Sequence, residues 1–283
     1  MRNDTVMYPS VGFVILTWNS MNVIDKCIQS ILRMKRIVSR IIVVDNASAD
    51  DTLAVIEKYI SSEQNTGNST CSVIKLQKNL GTTVSRNVGI NYLLKEYPDI
   101  TYMCILDSDT EINEESMLKM IDVLSADPNC GIIGPRMHDL QMKYQTSGRS
   151  IPTFSEKFLK VLPIKKLAEI GERMQGIIPA EGSGSVSVGY LMSACWFMRT
   201  EVMQHIGLLD EKIFYAPEDV DYCIRCWKAG YSVKYCYDAD ILHHWQRLSR
   251  KKLLSKHNYE HIKGLIYLFI KHRYLFNNNF NTL

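Results

Sequence analysis

Asp107-Ser108-Asp109 follows directly on the apolar run Tyr102-Met-Cys-Ile-Leu106. Such a run reads as a buried strand, and the carboxylates then stand at its C-terminal end, where open α/β sheets bind ligands. Side chains two apart on an extended segment point the same way, so Asp107 and Asp109 can serve one hard divalent cation. Three further segments add chemistry: Asp45 closes the apolar run 41–44, Glu218-Asp219 opens a helical pattern, and His243-His244 follows Ile241-Leu242. Together they can hold a metal-bound nucleoside diphosphate beside a base. Each alone is weak, because Asp and Ser are ordinary turn residues.

The elements that must position these residues alternate along the first half of the chain. Residues 11–17 read as a strand, and Ser20 is placed to cap a helix with Ile24, Cys27, Ile28 and Ile31 on one face. Strand 41–44 precedes a helix marked by Leu53, Ile56 and Ile60. Strand 73–76 leads through Asn79-Leu-Gly81 into a helix around Val84, Val88 and Tyr92. After strand 102–106, Met117, Ile121 and Leu124 mark a helix that ends before Asp127-Pro128. Repeated alternation implies a mostly parallel sheet with helices on both faces. From 139 to 188 the pattern loosens into Pro, Gly, Ser and Lys, with a short helix expected over 158–174 and the character of a binding lid. It sharpens again at a strand over 190–199 and a helix over 219–229 stopped by Gly230.

A chain of 283 residues with 46% apolar content can bury a substantial core. No run approaches the ~20 apolar residues that span a bilayer, and the N-terminus lacks a secretory pattern, so the expectation is a cytoplasmic protein. Eight scattered cysteines read as reduced thiols, and Cys223-x-x-Cys226 lacks the second pair that a zinc site would need. The net charge of +3 is uneven: residues 247–273 hold eight Lys/Arg against Glu260, a local +7, leaving a net −4 elsewhere. That basic segment suits an anionic partner or a solvated helix face. Within it, 259–276 reads as a short basic amphipathic helix. Such a helix either lies in a membrane interface or packs on the rest of the protein.

Thr17-Trp18-Asn19, Val44-Asp45-Asn46-Ala47-Ser48, Asn79-Leu-Gly81, Arg86-Asn87-x-Gly89, Asp107-Ser-Asp109, Glu218-Asp219-Val-Asp221 and His243-His-Trp-Gln-Arg247 occur in one order. In that order they resemble family 2 inverting glycosyltransferases, closest to the rhamnosyltransferase-like branch, over roughly residues 10–250. The resemblance implies a GT-A type fold: one Rossmann-like domain over 1–250, with a nucleotide-binding half (10–135), an acceptor half (136–250) and a helical extension (251–283). It implies that Thr17, Asn19 and Asp45 hold base and ribose, and that Asn79, Gly81, Arg86, Asp107 and Ser108 complete the donor site. Thr82-Thr83 departs from the smaller residues expected after Gly81.

Mn²⁺ or Mg²⁺ would be held chiefly by Asp109, with Asp107 and either His243 or His244. An imidazole in the shell favours Mn²⁺. The acceptor-side base is assigned to Asp219, with Glu218 and Asp221 as alternatives. The implied reaction is a single inverting displacement. It moves a sugar from a nucleotide-diphosphate donor, dTDP-rhamnose or a UDP-sugar, to a hydroxyl of a glycan or lipid-linked saccharide in cell-surface polysaccharide synthesis. Peripheral attachment to the inner face of the cell membrane fits that role, and no nucleic-acid partner is expected. Two rivals would use the same residues: a metal-dependent nucleotidyltransferase and a noncatalytic nucleotide-sugar-binding protein. Trp196, Trp227 and Trp245 suit the core better than sugar stacking.

Overall fold

In the computed structural model, residues 8–61, 69–156, 181–244 and 256–275 are described. The first half runs β1 (Ser10–Thr17), α1 (Ile24–Leu32), β2 (Val38–Asp45), α2 (Thr52–Ser61), β3 (Ser69–Lys75), α3 (Thr82–Glu96), β4 (Tyr102–Asp107), β5 (Thr110–Glu111) and α4 (Glu114–Ala126). The second runs β6 (Cys130–His138), β7 (Tyr144–Gln145), β8 (Gly148–Arg149), β9 (Ser185–Ser187), β10 (Tyr190–Leu191), β11 (Cys195–Arg199), α5 (Thr200–Ile206), α6 (Glu218–Lys228), β12 (Ser232–His243) and α7 (Lys256–His272).

The main sheet has the order β3-β2-β1-β4-β11-β6-β12-β5, with β7 on β6 and β9 on β12. The pairs β3/β2, β2/β1, β1/β4 and β6/β12 are parallel, and β11 alone among the long strands runs the other way. The fold is thus α/β with a mostly parallel sheet. Its long strands are apolar on both faces because both faces are covered. In β1, Phe13 and Ile15 join a core with α1 and α4, whereas Val14 joins the opposite core with Ile90 and Leu93 of α3. The chain leaves β1 for β2 and β3 on one side and returns to β4 on the other. That reversal opens a crevice beyond the ends of β1 and β4, the usual ligand position in such sheets.

Several local expectations are corrected. Ser20 does not cap α1 with its side chain: its carbonyl accepts from the Val23 and Ile24 amides, while its hydroxyl meets Ser108 at 2.9 Å. The apolar run 190–199 is not one strand. Tyr190–Leu191 pairs with β8 in a separate small sheet, and Cys195–Arg199 enters the main sheet against β4. The helix expected over 219–229 opens at Glu218, one residue early. β6 and β12, two of the longest strands, were not anticipated as such. The helix expected over 158–174 lies outside the described residues. Trp196 and Trp227 are core residues, and Trp245 lies outside the described residues. All eight cysteines are free and buried, Cys223 and Cys226 included.

Candidate active site

A cleft of about 420 Å³ opens at the ends of β1 and β4. Its lining includes Trp18, Asn79, Arg86, Asp107, Ser108, Asp109 and His243 and, from the 193–219 stretch, Ser193, Tyr215, Glu218 and Asp219.

Asp107, Asp109 and His243 each offer a ligand atom within 4.8 Å of the others. The antiparallel register of β12 on β5 sets His243 opposite Thr110 and so beside the turn that carries Asp109. His243 Nε2 lies 3.3 Å from Asp109 Oδ1. Its other nitrogen, Nδ1, lies 2.7 Å from Gln145 Oε1, and Gln145 Nε2 donates to the His243 carbonyl at 3.1 Å. The second bond fixes the amide's orientation. Because an amide oxygen only accepts, the network keeps a proton on Nδ1, so the neutral ring has its lone pair on Nε2, toward the carboxylates, while the protonated ring donates from Nε2 to Asp109. His244 is turned away: its Nε2 meets Glu111 at 2.6 Å and its amide donates to the Asp109 carbonyl.

Charges here are crowded. Burial pushes the Asp107 carboxyl above the usual carboxylate range, with Arg86 opposing and Asp109 adding to the rise. Burial pulls His243 down, but the hydrogen bond to Asp109 and the charges of Asp109 and Asp107 outweigh it, so the net shift is upward. Two crowded carboxylates and an oriented imidazole lone pair fit a divalent cation of the Mn²⁺ or Mg²⁺ type.

Arg86 joins Asp107 to Ser193 and Glu218. Buried to 2% exposure, it donates through Nη2 to Asp107 Oδ1 at 2.6 Å and to the Ser193 carbonyl at 3.0 Å, and through Nη1 to Glu218 Oε1 at 3.2 Å. Ser193 Oγ donates to the same Glu218 oxygen at 2.8 Å. The start of α3 is engaged as well. The Thr82 amide already donates to the Phe214 carbonyl at 2.7 Å, and Thr83 Oγ1 donates to the Ile213 carbonyl at 2.6 Å. The close backbone approach at Gly81 is made by that same carbonyl. Gly81 has φ +84°, and a Cβ there would sit 2.2 Å from Phe214 O. The departure at Thr82-Thr83 therefore serves a clasp between the start of α3 and the 213–214 loop.

The three acidic residues of α6 separate. Glu218 is sealed between Arg86 and Ser193. Its carboxyl is pushed up to about 7 by burial and the Asp219 charge, against the pull of Arg86 and Ser193. Asp219 is half-buried at the cleft, with Oδ1 accepting from the Val220 amide. Asp221 faces away, bonded to Arg225, Lys271 and His272.

Thr17 and Asp45, which are buried and do not themselves line the cleft, close the paired strands β1 and β2 in register. Asp45 Oδ2 accepts from the Ser48 amide at 3.1 Å, but Asp45 Oδ1 and Thr17 Oγ1 are buried with no hydrogen-bond partner. Buried polar atoms left unpaired are costly, which marks the spot as one a ligand can complete. Asn19 (φ +51°) accepts from the Ala49 amide and its own amide donates to Ser48 Oγ, tying the two loops together. Asn79 Oδ1 accepts from the Gly81 amide and from Asn46.

Gln145, Ser193 and Tyr215 were missed from the sequence. Gln145 lies in the irregular stretch and Ser193 inside an apolar run, so neither carried a signal. Tyr215 stands three residues before Glu218 and was open to inspection.

Comparison with known proteins gives a consistent picture. The family model described as "Glycosyl transferase family 2" matches residues 13–207. The dTDP-rhamnosyl transferase RfbF of Shigella flexneri is 26% identical over 208 residues, 72% of this chain and 59% of that protein. The N-acetylglucosaminyl-diphospho-decaprenol L-rhamnosyltransferase of Mycobacterium tuberculosis is 24% identical over 215 residues, 72% of this chain and 66% of that one. The chain thus spans less than two thirds of the length of either relative. In fold it is similar to GalNAc-T7 solved with UDP, GalNAc and Mn²⁺, with TM-score 0.65 at 12% identity, covering 93% of this chain and 48% of that one. It is also similar to the mannosyltransferase PcManGT of Pyrobaculum calidifontis solved with GDP-Man and Mn²⁺, with TM-score 0.61 at 14% identity, covering 94% and 65%. Both neighbours have the GT-A architecture.

Proposed function

The chain belongs to glycosyl transferase family 2, and on that premise we propose that it transfers a sugar, with inversion, from a nucleoside-diphosphate donor to a hydroxyl of a glycan or lipid-linked saccharide. The observation that carries this reading is that one cleft is lined both by Asp107, Asp109 and His243, whose ligand atoms lie within 4.8 Å of one another, and by Asp219.

Thr17 and Asp45, with their unpaired buried oxygens, receive hydrogens of the base or ribose. Asp107, Asp109 and His243 would hold the divalent cation, with Gln145 keeping the imidazole in the ligating tautomer. Bound there, the cation supplies Lewis-acid stabilisation of the charge that develops on the departing diphosphate. Asp219 takes the acceptor proton as the acceptor oxygen bonds to the anomeric carbon and the carbon–diphosphate bond breaks. Its place in the first turn of α6 favours the ionised form a base requires. Arg86 holds Asp107 and Glu218 at fixed separation, so donor side and acceptor side keep their register.

The two rhamnosyltransferase relatives support dTDP-rhamnose as the first donor to try, with a UDP-sugar next. The decaprenol-linked substrate named for the mycobacterial relative supports a lipid-linked acceptor. Product analysis with each nucleotide sugar and Mn²⁺ tests the reading: release of the nucleoside diphosphate with a glycosylated acceptor is expected. Pyrophosphate would point to nucleotidyl transfer, and no turnover with any donor would point to binding alone.

A further inference from the structure

Helix α7 has two apolar faces, and among the described residues only one of them is covered. On the inner face Leu265, Leu268 and Phe269 are buried, and the helix is pinned by ions. Lys271 Nζ lies 2.6 Å from both Asp210 and Asp221, His272 Nε2 lies 2.8 Å from Asp221, and Tyr267 donates to Asp210 at 2.9 Å. The approach is close enough that a Cβ on Gly264 would sit 2.2 Å from the Ala216 carbonyl. Ala216 itself lines the cleft. This helix is therefore backed directly against the acceptor side of the site.

The outer face carries Tyr259, Ile262, Ile266 and Ile270, exposed to 67%, 44%, 54% and 69%. Spacings of three and four place them in one stripe along the helix. A helix that merely packs inward puts polar residues on this side, and here the isoleucines take those positions. Lys263 is exposed on the same side, 3.8 Å from Glu260, whose side chain is 18% exposed, and Arg273 is exposed just past the end of the helix.

We infer that this outer ridge docks into the interface of an anionic lipid bilayer, seating the acceptor side of the cleft at the membrane surface. Apolar residues flanked by cations are what such an interface accepts, and the helix is too short and too amphipathic to do more than lie in it. Self-association is disfavoured by the same charges, because a two-fold contact through the ridge would crowd Lys263 and Arg273 against their copies. The use of the docking rests on the lipid-linked acceptor proposed above, but the docking itself needs only the ridge.

Co-sedimentation of the full chain with phosphatidylglycerol/phosphatidylcholine vesicles and with pure phosphatidylcholine vesicles, at low and high salt, tests it. Wild type should bind the anionic vesicles at least about tenfold better than the neutral ones and lose most binding in high salt. Ile262→Ser/Ile266→Ser/Ile270→Ser and Lys263→Glu/Arg273→Glu should each lower anionic-vesicle binding at least about tenfold, with thermal melts and nucleotide release in free solution unchanged. No wild-type binding at low salt, or undiminished binding by the serine variant, overturns the inference. So does a concentration-dependent dimer that the serine variant abolishes. Nucleotide release without vesicle binding would leave the proposed reaction standing while the docking falls.

Discussion

At the scale of residues, the neighbours of each side chain in the cleft suggest what to test. Asp219 faces the cleft whereas Asp221 is committed to Arg225, Lys271 and His272. Asp219→Asn is therefore expected to keep donor affinity within a few-fold and lower kcat by roughly 10²- to 10⁴-fold, measured by initial rates alongside a donor-binding titration. Unchanged kcat would pass the role to Glu218. If Asp107, Asp109 and His243 hold the cation as proposed, Gln145 orients the imidazole, and Gln145→Leu should weaken Mn²⁺ affinity about 10- to 100-fold by titration calorimetry. An unchanged affinity would mean that the imidazole needs no such support. Asp107-Ser-Asp109 was legible in the sequence because a strand's end and a two-residue spacing suffice to aim carboxylates. The choice between His243 and His244 was not, since it depends on strand β5 and on Gln145, which reach the site only through tertiary pairing. The partners of Arg86 were not legible, because Ser193 and Glu218 come to it from more than a hundred residues away.

At the scale of elements, the clasp between α3 and the 213–214 loop joins the two halves of the chain. Gly81→Ala would force an L side chain into a left-handed conformation and drive its Cβ into the Phe214 carbonyl. A loss of about 1–3 kcal/mol is expected from the conformation alone, read by urea denaturation. A variant as stable as wild type would show that the clasp yields easily. The parallel half of the sheet was readable because each strand is a short apolar run followed by a helix of helical periodicity. The other half resisted for stated reasons. β12 carries register shifts, one of them between Cys236 and Asp240, that disturb its alternation, and the run 190–199 conceals a break at Ser193 with no Gly or Pro to announce it. The break is what turns Ser193 toward Glu218 and Arg86.

At the scale of the whole molecule, a buried acid near neutrality makes stability depend on pH. Glu218 moves from 4.5 to about 7 on folding, so below pH 4.5 its preference for the neutral form contributes in full. As pH rises toward 7 the unfolded chain releases this proton while the folded chain keeps it, and the contribution is lost. Denaturation midpoints in metal-free buffer should therefore fall between pH 5 and 8, by on the order of 1–3 kcal/mol, and Glu218→Gln should flatten that fall. Equal slopes for the two proteins would place the proton elsewhere. The thiols offer a different view of the same cooperativity. Eight cysteines are free and all are buried, distributed over strands and helices of both cores. Burial pushes the Cys71 and Cys130 thiols up to about 12 and raises Cys27, Cys104, Cys223 and Cys226 well above the ordinary thiol range. A thiol-reactive reagent should find almost nothing to modify until the chain opens. Mass spectrometry of briefly labelled protein would then separate zero-label from fully labelled molecules if opening is global, and show intermediate counts if one half unravels first. The natural complement of cysteines thus serves as an internal clock for unfolding, distributed through the molecule without any engineered probe.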